Sequence, residues 1–283
     1  MKKLIPKLMG GYLNAAAWVA PAYVGKLGYE IFCTPLAPKV KRHHKVFLDT
    51  AEQFDFTSGE VTLRAYRWGT GPKRIVFLHG WQSHTYRWKK YIQSFSTDEF
   101  TLLAFDAPAH GLSGGRLANI PLYSEAIQSF FQTVGPADAV VSHSMGSFSM
   151  LHALHHNPAI QVGKIIAMGS PGEANDFITF YKAYTGINDR TFQFILNYFV
   201  EKLNQTPDYF SAPRFASTLD VPGVIIHDKG DEEAPYHHAQ RIHAAWKNSQ
   251  LITTEGMGHN FKKKEAVKMV RDFISNESLV ALH

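Results

Sequence analysis

The chain has 283 residues, enough for one large α/β domain with a small insertion or for two modest domains. Its hydrophobic content of 45% is ordinary for a globular protein, and its single cysteine, Cys33, excludes an intramolecular disulfide framework and fits a reducing compartment. The net charge of +5 is concentrated in residues 1–45, which carry eight Lys or Arg and one acid, Glu30. A nearly neutral remainder argues against a nucleic-acid-binding body.

Residues 1–45 have apolar residues at helical spacing, such as Leu4, Leu8 and Tyr12, with breaks at Gly10-Gly11 and at Pro21. We predict an N-terminal helical extension that packs on the protein's own surface. A basic amphipathic arm that contacts an anionic membrane or a partner is the alternative. The segment is interrupted too often for a secretory signal, and no apolar run is long enough to span a bilayer, so we predict a cytoplasmic location.

From residue 46 onward, β-branched and aromatic runs alternate with helical stretches. The predicted strands are residues 46–49, 61–68, 74–79, 100–106, 138–143, 164–169, 223–227 and 250–254. The predicted helices are residues 85–95, 121–134, 145–156, 237–246 and 264–274. This order predicts an α/β fold with a doubly wound, mostly parallel eight-stranded sheet, whose first two strands form an antiparallel start.

A segment at about 173–219 separates the sixth and seventh predicted strands by far more than a usual α/β loop, and it is rich in Phe and Tyr. We predict that it forms a small helical lid over the active site, inserted into a catalytic domain of residues 46–283. An ordinary helical layer with its aromatic residues in a core is the alternative, and the two are compatible.

The residues Ser142-His143-Ser144-Met145-Gly146 follow the apolar end of the fifth predicted strand and precede a helix. A serine at the tip of such a turn holds its hydroxyl clear of the backbone, as in the nucleophile elbow G-x-S-x-G. Ser142 replaces the first glycine of that pattern, which adds a Cβ and a hydroxyl to a crowded turn. Ser144 is therefore the candidate nucleophile.

A nucleophilic serine needs a base and an orienting carboxylate, and both occur later in the chain. Asp231 follows the seventh predicted strand and is the candidate acid. His259, flanked by glycine just beyond the last predicted strand, is the candidate base. Other acids stay open: Asp228, Glu232 and Glu233 in the same loop, and Glu173 or Asp176 after the sixth strand.

Two backbone N–H groups are candidates for an oxyanion hole. The run Phe77-Leu78-His79-Gly80-Trp81 ends the third predicted strand in a glycine turn, which directs the amide of Trp81 toward the carboxyl edge of the sheet. The amide of Met145 follows the nucleophile at the start of a helix. Donors of this kind are worth about 3–4 kcal/mol each in comparable enzymes.

These features together resemble the α/β-hydrolase fold, in the lid-bearing group that includes esterases and thioesterases. The order Ser144, Asp231, His259 is the order that this fold uses, and Asp106 to Ser113 is similar to the D-x-x-G-x-G-x-S segment of the family. The similarity covers about residues 46–283. It implies a cofactor-independent, carboxylesterase-like serine hydrolase that forms an acyl-serine on a small, partly apolar ester or thioester.

Other functions stay open, because a fold and a triad do not determine the substrate. The same triad could act on a peptide or a carbon–carbon bond, or transfer an acyl group to an acceptor other than water. A non-catalytic binding or scaffold protein is a rival from another class. The oligomeric state is left open.

Fifteen histidines raise the question of a metal. His152, His155 and His156 share one predicted helix face at a spacing that can chelate an ion, but no carboxylate or cysteine accompanies them, so we predict no metal site. No G-x-G-x-x-G follows a strand, and we predict no cofactor. We expect His143 to pack against the sheet, and His110 and His84 to be pocket or surface residues.

Overall fold

A computed structural model describes residues 4–36 and 40–275. The contacts within the chain divide it into two compact units. We call residues 36–172 and 212–283 the sheet unit, and residues 1–35 and 173–211 the helical unit.

One eight-stranded sheet forms the centre of the sheet unit. Its strands are β1 (Glu52–Ser58), β2 (Val61–Trp68), β3 (Lys73–Leu78), β4 (Phe100–Phe105), β5 (Ala137–His143), β6 (Val162–Met168), β7 (Gly223–Asp228) and β8 (Ser249–Thr254). They lie in the order β1-β2-β4-β3-β5-β6-β7-β8, with β2 antiparallel to both neighbours and all later pairs parallel. The predicted mostly parallel sheet with an antiparallel start is confirmed.

Helices occur in both units. They are α1 (Leu4–Ala16), α2 (Pro21–Cys33), α3 (Arg42–Leu48), α4 (Lys89–Ile92), α5 (Ile120–Val134), α6 (Met145–His156), α7 (Ala174–Thr185), α8 (Asp189–Leu203), α9 (Ala212–Ala216), α10 (His237–Ala245) and α11 (Lys264–Ser275). The helix predicted over 145–156 has the observed bounds. The break predicted at Gly10-Gly11 is wrong: α1 continues through both glycines, and Gly10 lets it lie against the Thr185 carbonyl of α7. The one predicted over 85–95 is a short 3-10 turn (Thr85–Trp88) that continues into α4.

Apolar side chains cover both faces of the central strands. On one face, Ile75 and Phe77 of β3 belong to a cluster with Trp88 and with side chains of α11. On the other face, Phe105 of β4 packs against Phe130 of α5, with ring centroids 4.8 Å apart. Because both faces are covered, the central strands are continuous apolar runs in the sequence. Polar groups therefore lie at the carboxyl ends of these strands.

The prediction of a strand over residues 46–49 is wrong. These residues form the end of α3 and the turn after it, and the first strand is β1, which the sequence analysis did not predict. In β1, Phe54 and Phe56 alternate with polar residues, and Gly59, with φ of 54°, turns the chain into β2. In α3, Phe47 and Leu48 are buried as part of a helix, so tertiary packing overrides their β propensity.

The helical unit is held together by close contact between α2 and α8. A Cβ on Gly25 would lie 2.6 Å from the carbonyl oxygen of Phe194, and one on Gly28 would lie 2.4 Å from Cδ1 of Ile195. The hydroxyl of Tyr181 in α7 donates to the carbonyl of Gly28 at 3.1 Å. The two glycines on one face of α2 therefore let its backbone lie directly against α8.

The sequence prediction separated residues 1–45, as an extension, from a lid at about 173–219. In the structure, α1 and α2 pack with α7 and α8 in one unit, while α3 and α9 belong to the sheet unit. The physical reason is that neither pair of helices buries its apolar residues alone: Leu13 and Val24 of the first pair and Ile178 and Ile195 of the second are each at most 1% exposed.

Candidate active site

Ser144 lies at a sharp turn between β5 and α6. Its backbone has φ of 51° and ψ of −125°, a left-handed conformation that is strained for a residue with a Cβ and costs about 1–3 kcal/mol. The turn is fixed by a hydrogen bond from the Ser144 N–H to the carbonyl of Met168, at 2.9 Å. Ser144 is partly exposed between buried neighbours, as a nucleophile elbow requires.

Glycine is required where the loop after β3 passes the elbow. A Cβ on Gly80 would lie 2.8 Å from Cβ of Ser144, and a Cβ on Gly146 would lie 2.5 Å from the carbonyl oxygen of His79. Ser142, by contrast, lies within β5, fully buried, and its hydroxyl donates to the carbonyl of Ile166 at 3.2 Å. The serine that replaces the first glycine of the pattern thus has a hydrogen-bond partner in the next strand.

Asp231 and His259 are hydrogen-bonded to each other. Nδ1 of His259 lies 2.8 Å from Oδ2 of Asp231, whose side chain is fully buried, while the side chain of His259 is 9% exposed. The carboxylate accepts Nδ1–H, which leaves Nε2 of His259 free of that contact for another partner. The Asp231 carboxylate and the His259 ring both lie next to Gly169, which follows Met168, the residue whose carbonyl accepts the Ser144 N–H. A Cβ on Gly169 would lie 3.4 Å from Nδ1 of His259.

The surroundings of Asp231 keep it ionised. Burial opposes its charge, but hydrogen bonds from His227, from His259 and from the Ala234 N–H outweigh burial and hold the pKa of Asp231 well below its usual range. The second carboxylate oxygen, Oδ1, accepts the N–H groups of Glu233 and Ala234, each at 2.9 Å. The carboxylate is therefore both charged and fixed in orientation.

The structure gives the alternative acids other surroundings. Asp228 accepts the Thr254 hydroxyl and the Met257 N–H, at 2.9 and 2.7 Å, and so holds the loop before His259. Glu233 places Oε2 3.8 Å from His259 Nε2, but its side chain is 68% exposed. Glu232 is exposed, and Glu173 accepts the Ser211 hydroxyl within the helical unit, whose first α7 turn contains Asp176.

His143 contacts His259 directly. Its Nε2 lies 2.7 Å from the His259 carbonyl oxygen, so Nε2 carries the proton and donates, and the two rings are 4.8 Å apart. Burial lowers the pKa of His143 and keeps it neutral. The expected packing of His143 against the sheet omitted this bond, for which the only sequence signal is its position inside the elbow.

His110 holds the loop that carries the Trp81 amide. It accepts the N–H of Gln82 through Nε2 at 3.1 Å, and its Nδ1 lies 2.8 Å from the Pro108 carbonyl, to which it donates. The Trp81 and His110 rings meet edge to face at 5.6 Å. Burial lowers the pKa of His110, which leaves Nε2 unprotonated and able to accept.

Gln82 itself has φ of 50°, a conformation that needs such support. Met145 is the first residue of α6, where a backbone N–H has no acceptor within the helix. The two amides proposed from sequence thus lie on segments that flank Ser144. His110 is 2% and His84 4% exposed, so neither is a surface residue.

Asp106 anchors the segment that follows β4. Its carboxylate accepts the Thr85 N–H at 2.8 Å, the Leu112 N–H at 2.8 Å and the Tyr66 hydroxyl at 3.0 Å. Ser113 donates its hydroxyl to the Asp106 carbonyl. These bonds fix the loop that contains His110, a role that the motif alone did not indicate.

Within residues 4–36 and 40–275, no group of three or more His, Cys, Asp or Glu is arranged to hold a metal ion. His152 is bonded to Ser124 and His155 to Thr218, at 2.8 and 2.9 Å. No helix in the described part of the chain is long and apolar enough to cross a membrane.

Solved structures with similar folds cover most of this chain. An esterase from a Rhodococcus species is 15% identical, covers 81% of this chain and all of its own (100%), and has a TM-score of 0.61. A bromoperoxidase from Bacillus anthracis is 15% identical, covers 79% of this chain and 99% of its own, and has a TM-score of 0.62. At this identity the likeness concerns the fold alone, and the two names differ in chemistry.

A shorter match exists to the dihydrolipoyllysine-residue acetyltransferase component of an acetoin cleaving system from Cupriavidus necator, 32% identical over 102 residues. It covers 35% of this chain and only 27% of that relative. The profile of the alpha/beta hydrolase family matches residues 75–261, which is more than half of the chain and contains Ser144, Asp231 and His259. The chain belongs to the alpha/beta hydrolase family.

Proposed function

We propose that this protein is a serine hydrolase that cleaves a carboxylic ester or thioester through an acyl-serine intermediate. The observation that carries the proposal is the pairing of a strained, partly exposed Ser144 with the His259–Asp231 hydrogen bond at the same edge of one sheet. An imidazole oriented by a charged carboxylate next to a serine turn is the arrangement that activates a hydroxyl.

In the proposed mechanism, His259 takes the hydroxyl proton of Ser144 through Nε2 as the Ser144 oxygen attacks the acyl carbon. The N–H groups of Trp81 and Met145 stabilise the oxyanion that forms. His259 then gives its proton to the leaving alkoxide or thiolate. A water molecule, deprotonated by His259, then attacks the acyl carbon. The bond to the Ser144 oxygen breaks, His259 returns the proton to that oxygen, and the acid is released, while Asp231 stays ionised throughout.

The esterase from Rhodococcus, similar in fold, supports an ester as substrate. The aromatic content of residues 173–211 favours a substrate with an apolar acyl or alcohol part, and the insertion stays a proposed lid. The single cysteine favours the cytoplasm. The partial match to an acetyltransferase component keeps an acyl acceptor other than water as an alternative.

A fluorophosphonate probe tests the activated serine. We expect one adduct, located at Ser144 by peptide mass spectrometry and absent from Ser144→Ala. Ser217 is the internal control, because it is exposed but donates only to the Arg214 carbonyl and should stay unlabelled. Labelling justifies a screen of esters and thioesters of graded chain length, in which acyl transfer to added alcohols or amines separates a hydrolase from a transferase.

Absence of labelling in a sample that unfolds cooperatively would contradict the proposal and favour a non-catalytic binding protein. Labelling at Ser144 without turnover of any ester or thioester would instead point to another electrophile, such as a peptide or a carbon–carbon bond.

A further inference from the structure

The first two helices carry a row of large apolar side chains that are exposed. In α1 these are Leu4, Ile5, Leu8 and Tyr12, between 55% and 71% exposed; after it come Trp18 at 69%, Val19 at 85% and Tyr23 at 53%. Single exposed apolar residues are ordinary on protein surfaces, but a contiguous group marks a contact with something else. We call this group the N-terminal apolar face.

The face follows helical geometry. Leu4, Leu8 and Tyr12 are four residues apart and so lie on one side of α1, while Gly10 and Leu13 on the other side are buried in the helical unit. A Cβ on Gly10 would lie 2.0 Å from the carbonyl oxygen of Thr185 in α7. One side of α1 thus packs on α7, and the apolar residues of the other side are exposed.

The exposed residues of α1 and α2 form one surface. Tyr12 of α1 raises the pKa of Tyr23 of α2, chiefly by acting on its hydroxyl, so the two side chains lie close together where the outer sides of the helices meet. In the same unit, α7 adds Phe177, Phe180 and Tyr184 at spacings of three and four residues, 38–64% exposed, with the last two rings stacked at 5.5 Å.

Cations predominate beside the α1 and α2 part of the face. Residues 1–29 contain four lysines and no Asp or Glu. Lys7 is exposed within α1, between Leu4 and Leu8. The guanidinium of Arg190, in α8, lies 4.0 Å from the centre of the Trp18 ring, which adds a second exposed cation at the edge of the face. The nearest acid along α2, Glu30, lies 3.9 Å from Lys26.

We propose that the N-terminal apolar face docks on an anionic lipid bilayer, with α1 lying in the plane of the headgroups. An amphipathic helix with Leu, Trp and Tyr on one side and lysine beside them binds such an interface, since the apolar side enters the acyl boundary and the cations meet lipid phosphates. Tyr12, Trp18 and Tyr23 are the residue types that favour the headgroup level. The docking goes beyond the proposed hydrolase activity and does not depend on it.

A second copy of the chain fits the face less well. In a two-fold dimer the same patch would face itself, which would bring Lys7 of one protomer toward its counterpart, and the exposed acid beside Arg190, Asp189, is already paired with Lys182. An anionic lipid surface carries negative charge over its whole area, so it can pair with the cations wherever they lie on the face.

The test uses the full-length protein and vesicles of phosphatidylcholine with or without phosphatidylserine. We expect co-sedimentation with the mixed vesicles, and loss of about tenfold or more in partitioning for Leu8→Gln, because the side chain no longer gains from burial. Lys7→Glu should cost about fivefold or more, and the loss should shrink at high salt. Val46→Gln is the matched control, since Val46 is 67% exposed in the sheet unit, and it should bind like the parent.

A second readout locates the contact. Trp18 is 69% exposed, whereas Trp68, Trp88 and Trp246 are at most 7% exposed. Trp81 is partly exposed but lies in the sheet unit, so brominated lipid should quench mainly Trp18, and Trp18→Phe should remove that quenching while Trp81→Phe should not. All variants change exposed side chains, and equal thermal unfolding midpoints verify their folding. Failure to bind, binding that ignores Leu8 and Trp18, or a dimer that Leu8→Gln dissociates would each overturn the proposal.

Discussion

The sheet edge around Ser144 and the N-terminal apolar face depart from the usual distribution of polar and apolar groups in opposite directions. At the sheet edge, ionisable groups are buried: Asp106, His143 and Asp231 are each at most 5% exposed. On α1, Ile5 and Leu8 are 71% and 65% exposed. Each departure reduces stability unless something compensates for it.

The two kinds of compensation differ. The buried carboxylates at the sheet edge find their partners inside the fold, Asp106 with three donors and Asp231 with His259 and two N–H groups. The exposed apolar side chains of α1 have no such internal compensation. The first pattern therefore indicates chemistry within the molecule, and the second indicates a contact outside it.

The largest expected effect breaks the sheet-edge pattern at its acid. Asp231→Asn should lower kcat by about ten-thousand-fold, because the amide no longer stabilises the imidazolium and favours the wrong tautomer of His259. The measurement is kcat on the most reactive ester from the screen. Glu233→Gln is the control, since Glu233 is exposed and 3.8 Å from His259 Nε2, and should change kcat by no more than roughly twofold. A larger effect at Glu233 than at Asp231 would reassign the acid.

A smaller effect tests the support of the oxyanion loop. His110→Ala removes the acceptor of the Gln82 N–H, so we expect kcat to fall by about 10- to 100-fold while KM changes little. His110→Gln can present a carbonyl oxygen to the same N–H and should regain most of the rate. If His110→Ala and His110→Gln lose the same activity, and the loss follows the decrease in their unfolding midpoints, His110 contributes only to stability.

Much of the sheet edge could be predicted from the sequence, because its residues follow strands in a fixed order. Ser144, Asp231 and His259 each follow a strand within a few residues, and parallel strands bring their carboxyl ends to one edge. The bonds made by His110 and His143 could not be predicted in this way. They join residues 28 and 116 positions apart, and a histidine in a loop has no periodicity to indicate its burial.

The helical unit was the harder region to predict. The spacing of Leu4, Leu8 and Tyr12 indicates a helix but not which side faces solvent. Nothing local indicates that Gly25 and Gly28 meet α8, since the contact joins segments more than 160 residues apart. Strand β1 was missed for a related reason: its pairing with β2 outweighs a sequence in which only Phe54 and Phe56 are apolar.

Two glycine substitutions sharpen the account of the helical unit. Gly25→Ala places a Cβ 2.6 Å from the Phe194 carbonyl oxygen and should destabilise the packing of α2 on α8 by about 1–3 kcal/mol. Gly11→Ala, with nothing within 4 Å of its Cβ, should stabilise α1 by about 0.5–1 kcal/mol. Hydrogen exchange of the α2 and α8 amides measures the first effect, and exchange of the α1 amides measures the second. The two effects should have opposite signs, and destabilisation by both variants would contradict the packing.

The last effect concerns pH, and it separates the two regions. All fifteen histidines lie outside residues 1–35 and 173–211, so the helical unit has none. In the sheet unit, burial, with smaller contributions from His156 and His155, lowers the pKa of His152 to about 3, and burial likewise lowers the pKa of His79, His110 and His143.

At a pH between the lowered pKa of such a histidine and its ordinary pKa of 6.5, the unfolded chain binds more protons than the folded chain. The stability of the folded state is therefore highest above pH 6.5. As the pH decreases below that value, the free energy of unfolding falls by up to roughly 1 kcal/mol per pH unit for each buried imidazole. Hydrogen exchange at about pH 7 and about pH 5, corrected for intrinsic rates, should show lost protection in β3 and β5 but not in α2 and α8. Equal losses in both regions would mean that the histidines do not account for the acid sensitivity, because only one region contains them.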